Sequence, residues 1–82
     1  MSDLSKNELQ SEVNSFICDI ASENFEGFFD SNTDISDNFE LLAILQYRLE
    51  EAYKDVIIDD KRLYEDIKTI NDLVDIVMEY LV

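Results

Sequence analysis

The stretch that decides the fold is DISDNFELLAILQYRLEEAY, residues 34–53. An acidic segment with one hydroxyl runs directly into apolar residues at helical spacing. Phe39, Leu42, Leu45, Leu49 and Tyr53 recur every three or four positions, the pattern of a helix with one buried stripe. Asp37 followed three residues later by Glu40 reads as the N-terminal capping box of that helix, which is placed at 37–53.

Two further helices flank it. Ser5 and Glu8 form a second capping box, with Leu4 and Leu9 as the apolar staple around it. Leu9, Val13, Phe16, Ile17 and Ile20 continue at helical spacing, giving a helix over about 6–22. Near the end of the sequence Thr69 can cap a helix whose stripe is Ile70, Leu73, Val74, Val77 and Leu81. Proline is absent and Gly27 is the only glycine, which disfavours a turn-rich β fold. Residues 23–36 form a long loop in which Phe25, Phe28, Phe29 and Ile35 are expected to fold back onto the core. Val56, Ile57 and Ile58 could make a short strand, but a lone strand in a helical chain has no partner. An extended connector followed by a short helix near 60–65 is the consistent reading. The expected fold is therefore all-α. It is a small four-helix bundle of three main helices and one short one, with a long loop between helices one and two, forming a single domain over 1–82.

Composition narrows the functions. Hydrophobic residues make up 46% of the 82 positions and charged residues 32%, enough apolar content for a folded domain of marginal size. Twenty acids against six bases give a net charge of −14. Such a chain is repelled by nucleic acid and by anionic membrane surfaces, and no apolar stretch reaches membrane-spanning length. The expected partner is a basic patch on another protein, with the chain itself a monomer. Histidine is absent, which removes the commonest general base and transition-metal ligand. Cys18 is the single cysteine, off the apolar stripe and without a basic neighbour, so an inert thiol is expected. The carboxylates are scattered, with no apolar setting to raise a pKa for acid catalysis. No signal-peptide pattern precedes Leu9, and a reducing cytoplasm is the expected location.

One metal reading competes. Asp30, Asn32 and Asp34 alternate as at the start of a calcium-binding EF-hand loop. That loop needs glycine at its sixth position and a bidentate glutamate at its twelfth, where this chain has Ile35 and Leu41.

Taken together, FFD (28–30), DNFELLAILQYRLEEAY (37–53) and KTINDLVDIVMEYL (68–81) resemble the acyl and peptidyl carrier proteins, from about Phe28 to Leu81, and the first helix fits as well. The resemblance implies a small acidic four-helix bundle serving fatty-acid, polyketide or nonribosomal-peptide enzymes, without catalytic activity of its own. In that family an Asp-Ser-Leu or Asp-Ser-Phe tripeptide opens helix two, and its serine carries 4′-phosphopantetheine. The matching tripeptide is Asp37-Asn38-Phe39, and asparagine cannot form the phosphodiester. Ser36 is the nearest hydroxyl and the candidate attachment residue. Asp37, Glu40, Glu50 and Glu51 would face basic patches on the phosphopantetheinyl transferase and on acyl- or aminoacyl-loading and condensing enzymes. The alternative is a pseudo-carrier that lacks the arm and acts as an interaction or regulatory subunit.

Overall fold

Each long helix begins where a side chain can accept the N–H groups that a helix start leaves unpaired. A computed structural model of the protein describes residues 5–82, so Leu4 of the expected staple lies outside the described residues. Helix α1 spans Lys6–Asn24. Ser5 Oγ accepts the Glu8 N–H at 3.2 Å, and Glu8 Oε1 accepts the Ser5 N–H at 3.1 Å. Helix α2 spans Phe39–Ala52 and α3 spans Ile70–Leu81. Thr69 and Asp72 form a reciprocal capping box at the start of α3. The short helical segment is a single π turn, Arg62–Asp66. This is the expected small all-α bundle of three main helices and one short one.

The cap of α2 differs from the expected Asp37–Glu40 box. Asn38 takes that role, its Oδ1 accepting the Leu41 N–H at 3.1 Å while its carbonyl accepts the Leu42 N–H at 3.0 Å. Asparagine and aspartate cap equally well, so local preference could not choose between adjacent residues. The choice is made by Ile35, which is buried in the core and whose carbonyl accepts the Asn38 N–H at 3.1 Å.

The buried arc of α2 is Leu41, Leu42, Leu45 and Leu49. At about 100° per residue these four lie within an arc of about 100°. Tyr53 falls just past the edge of that arc and is half-buried. Phe39 falls about 60° beyond the edge, and it is 61% exposed rather than buried. In the first loop Phe25 and Phe29 pack against the core and Ile35 is buried in it. Phe28 does not follow, being 82% exposed. Gly27, at φ +124°, turns the chain there with a backbone conformation that side chains resist, and Phe28 points out where Phe29 turns in.

One apolar cluster joins all the elements. Val13, Ile17, Ile20 and Ala21 of α1 meet the α2 leucines and Ile70, Leu73, Val74, Ile76, Val77 and Met78 of α3. Leu9, expected among them, is half-buried against the cluster. Helix α1 packs on both α2 and α3, and the π turn packs on α2. The connector contributes Val56 and Ile58 to the core and turns Ile57 out to 69% exposure, the alternation of extended chain. The buried set among the described residues is entirely apolar.

Candidate functional site

The site to which the sequence points is the entry of α2, residues 30–40. Its loop is built from side chains that bond their own backbone. Asp30 Oδ1 accepts the Asn32 N–H at 2.9 Å and the Thr33 hydroxyl at 3.2 Å, and Thr33 Oγ1 accepts the Asp30 N–H at 2.9 Å. Asp34 Oδ1 accepts both the Ser36 hydroxyl at 2.7 Å and the Ser36 N–H at 2.9 Å. Those two bonds, the hydroxyl first, hold the Asp34 carboxyl below its ordinary range, with Lys68 adding a smaller pull. The acids that suggested a calcium loop are thus engaged in loop turns. Ile35 and Leu41, where an EF-hand needs its glycine and glutamate, are both in the core.

The loop is tied to the entry of α3. Ile35 N–H donates to the Lys68 carbonyl at 2.8 Å, Ile70 N–H to Thr33 at 3.1 Å and Asn71 N–H to Ser31 at 2.9 Å. Asp34 and Thr69 form an antiparallel bridge. Across it, Asp72 Oδ2 accepts the N–H groups of Lys68 at 3.0 Å and Thr69 at 3.1 Å. The backbone bonds, that from Thr69 first, hold the Asp72 carboxyl low.

The expected site residues separate into three groups. Asn38, which the resemblance would set at the carrier serine's position, is the cap of α2. Ser36 lies two residues outside the cap, half-buried, its hydroxyl donated to Asp34. Asp37 and Glu40 flank the cap and are exposed. Glu50 and Glu51 stand at the far end of α2, about 16 Å away along its axis. Glu51 shares the exposed face of Glu40 and accepts the Tyr47 hydroxyl at 3.4 Å. Glu50 is half-buried, and its Oε2 accepts the Ile58 N–H at 2.9 Å.

Sequence reasoning missed the partners of that connector. Gln46 donates to the Ile58 carbonyl at 2.7 Å and to Asp60 at 2.9 Å, so Gln46 and Glu50 hold both polar groups of Ile58. The signal available was two polar residues at i and i+4 beside the apolar stripe. Tyr80 donates its hydroxyl to the Ile57 carbonyl at 2.7 Å, and Arg62 pairs bidentately with Glu79 at 3.1 and 3.2 Å. Phe39 also meets Tyr64 of the π turn edge to face, with ring centroids 5.7 Å apart and planes at 83°.

Nothing in this arrangement activates a nucleophile. Burial, then the nearby Asp30 and Asp19 carboxylates, push the Cys18 thiol above its ordinary range, which favours the unreactive protonated form. The α2 entry offers exposed carboxylates, a hydroxyl already bonded to a carboxylate, and an aromatic pair. No family model, curated protein or solved structure matches the chain.

Proposed function

We propose that the chain is a non-catalytic interaction domain of the carrier-protein kind. It docks on basic patches of partner enzymes through the entry and exposed face of α2, and it works in the cytoplasm without a phosphopantetheine arm. Asp37, Glu40 and Glu51 are the docking acids, while Glu50 serves the fold. The supports for docking are the net charge of −14 and the exposure of those three carboxylates.

One observation carries the choice of the armless form. The cap of α2 is Asn38, which has no hydroxyl, and the nearest hydroxyl donates to Asp34 at 2.7 Å. A phosphodiester on Ser36 would remove that donated hydrogen and set a second negative charge against the Asp34 carboxylate. In a loop already tied by backbone bonds to α3, both effects oppose attachment.

Incubation with coenzyme A and a broad-specificity phosphopantetheinyl transferase, read by intact mass, tests this reading. Little or no mass gain is expected from the unaltered chain. Efficient gain of one arm, mapped to Ser36 by fragmentation, would make the protein an arm-bearing carrier instead. The docking half is tested by affinity for the same transferase. It should weaken as salt is raised and on Asp37→Lys with Glu40→Lys, and an affinity indifferent to both would leave the charge to solubility alone.

A further inference from the structure

Charge explains the acids around the α2 entry but not the aromatic pair among them. Phe39 is the first residue of α2 and is 61% exposed; Tyr64 is 39% exposed. They come from separate elements and hold each other edge to face at 5.7 Å. The π turn buries Leu63 and presents Tyr64 beside it. Exposed acids stand next to each ring in sequence: Asp37 and Glu40 beside Phe39, Glu65 and Asp66 beside Tyr64. Two cations are also close in sequence: Arg62 is engaged by Glu79, and Lys61 is exposed.

An apolar anchor whose charged sequence neighbours are mostly carboxylates selects its occupant by charge. A second copy of this chain brings its own −14 and is repelled, as are nucleic acid and anionic membrane. A cationic protein surface is attracted and, once seated, can bury an apolar side chain against the rings. Aromatic residues at such sites dominate binding energy when surrounding polar groups exclude water.

We propose that Phe39 and Tyr64 form the anchor of the docking surface, taking one apolar side chain of a partner protein that is flanked by lysine or arginine. This rests on the docking reading above and names the chemistry of the partner segment. The carboxylates steer the segment in, and the rings set how tightly it stays.

The test uses the unaltered chain and a synthetic amphipathic peptide with leucines on one face and lysines on the other. A control peptide has serine in place of each leucine. Amide shift changes should concentrate at residues 37–41 and 61–66, and the serine control should bind much more weakly. Phe39→Ala and Tyr64→Ala should each weaken binding at least about tenfold. Phe28→Ala, at an exposed aromatic outside the pair and off α2, should change it less than about twofold. Shift mapping on the unaltered chain decides the matter even if an alanine variant fails to fold. Shifts centred near Phe28, or equal affinity for both peptides with Phe39→Ala silent, would overturn the anchor. In the case of equal affinity, binding still centred on the α2 entry would leave the docking reading standing. Failure of both peptides to bind at the α2 entry would remove both.

Discussion

Two connections join the long helices of this protein, and they are tied to the rest of the fold by opposite means. Residues 31–35, between α1 and α2, are tied to Lys68, Ile70 and Asn71 through backbone bonds, while the side chains of Asp30, Thr33 and Asp34 hold N–H groups within the loop itself. The extended part of the second connection, at Ile57 and Ile58, is tied by side chains. Gln46 and Glu50 hold Ile58, and Tyr80 holds the carbonyl of Ile57. Buried polar backbone needs a partner in either case. A backbone partner survives most substitutions, whereas a side-chain partner is lost with one codon. The two connections should therefore respond alike to changes in the core and differently to changes in polar residues.

The largest effects should be shared. Ile35 in the first connection and Ile58 in the second are 2% and 1% exposed and belong to one cluster. Ile35→Ala and Ile58→Ala should each cost about 2–5 kcal/mol, comparable to Leu45→Ala in the middle of α2. Urea unfolding measures this, and a midpoint unmoved by either change would show that connection to be peripheral to the core.

The next effect should separate the two. Glu50→Ala strands the Ile58 N–H and should cost about 1–3 kcal/mol, while Glu50→Gln, which keeps an acceptor oxygen, should cost less. Ser31→Ala in the first loop leaves its carbonyl bond to Asn71 untouched and should stay within about 0.5 kcal/mol. Equal costs for Glu50→Ala and Ser31→Ala would break the distinction between side-chain and backbone support.

The same contrast explains how much could be read from sequence. Helix positions, the Ser5–Glu8 and Thr69 caps, the shared core and the extended connector follow from spacing within a few residues. The pairing of residues 31–35 with 68–71 joins positions more than thirty apart, and no local pattern announces it. That pairing seats Ile35, shifts the α2 cap from Asp37 to Asn38 and leaves Phe39 outside the buried arc. Phe28 and Phe29 look alike in sequence, because hydrophobicity alone cannot say which of two adjacent phenylalanines faces in. At the candidate site, Asp37, Glu40 and Glu51 were legible as surface acids. Glu50 was not separable from Glu51, since only the path of the distant connector gives it an N–H to accept.

A smaller effect should appear where the two connections meet, at the Asp34–Thr69 bridge. Asp34 and Asp72 are both held low by hydrogen bonds at this junction. A carboxyl whose folded pKa is depressed contributes stability that is present above its unfolded value. That stability is lost as pH falls through the lower, folded value. With the ordinary value at 3.8 for both, the contribution should be complete above about pH 5 and be lost progressively as pH falls below it. Asp72→Asn should cost about 0.3–1 kcal/mol near neutrality, and the gap to the unaltered chain should close in acid. Protection of the Ile35 and Ile70 amides against exchange should fall first in the same window. A gap independent of pH would mean that the Asp72 carboxylate contributes by shape rather than by charge.

The smallest expected change in stability carries the sharpest functional test. Serine caps helices about as well as asparagine, because its Oγ can accept the same Leu41 N–H. Asn38→Ser should therefore move stability by less than about 0.5 kcal/mol. It also places a hydroxyl at the helix start, in an Asp-Ser-Phe tripeptide, and frees that function from the Asp34-bonded Ser36. A phosphate there meets unpaired N–H groups and the positive end of the helix. The variant should gain one phosphopantetheine arm per chain by intact mass. The unaltered chain should gain little, and Ser36→Ala should abolish any trace. This pits the two hydroxyl positions against each other on one scaffold, one free at a cap and one held in a loop by a carboxylate. If Asn38→Ser stays unlabelled while its helices are intact by circular dichroism, Asn38 does not occupy the carrier serine's place. Docking through the acidic face would then have to stand on its own binding data, without the carrier resemblance.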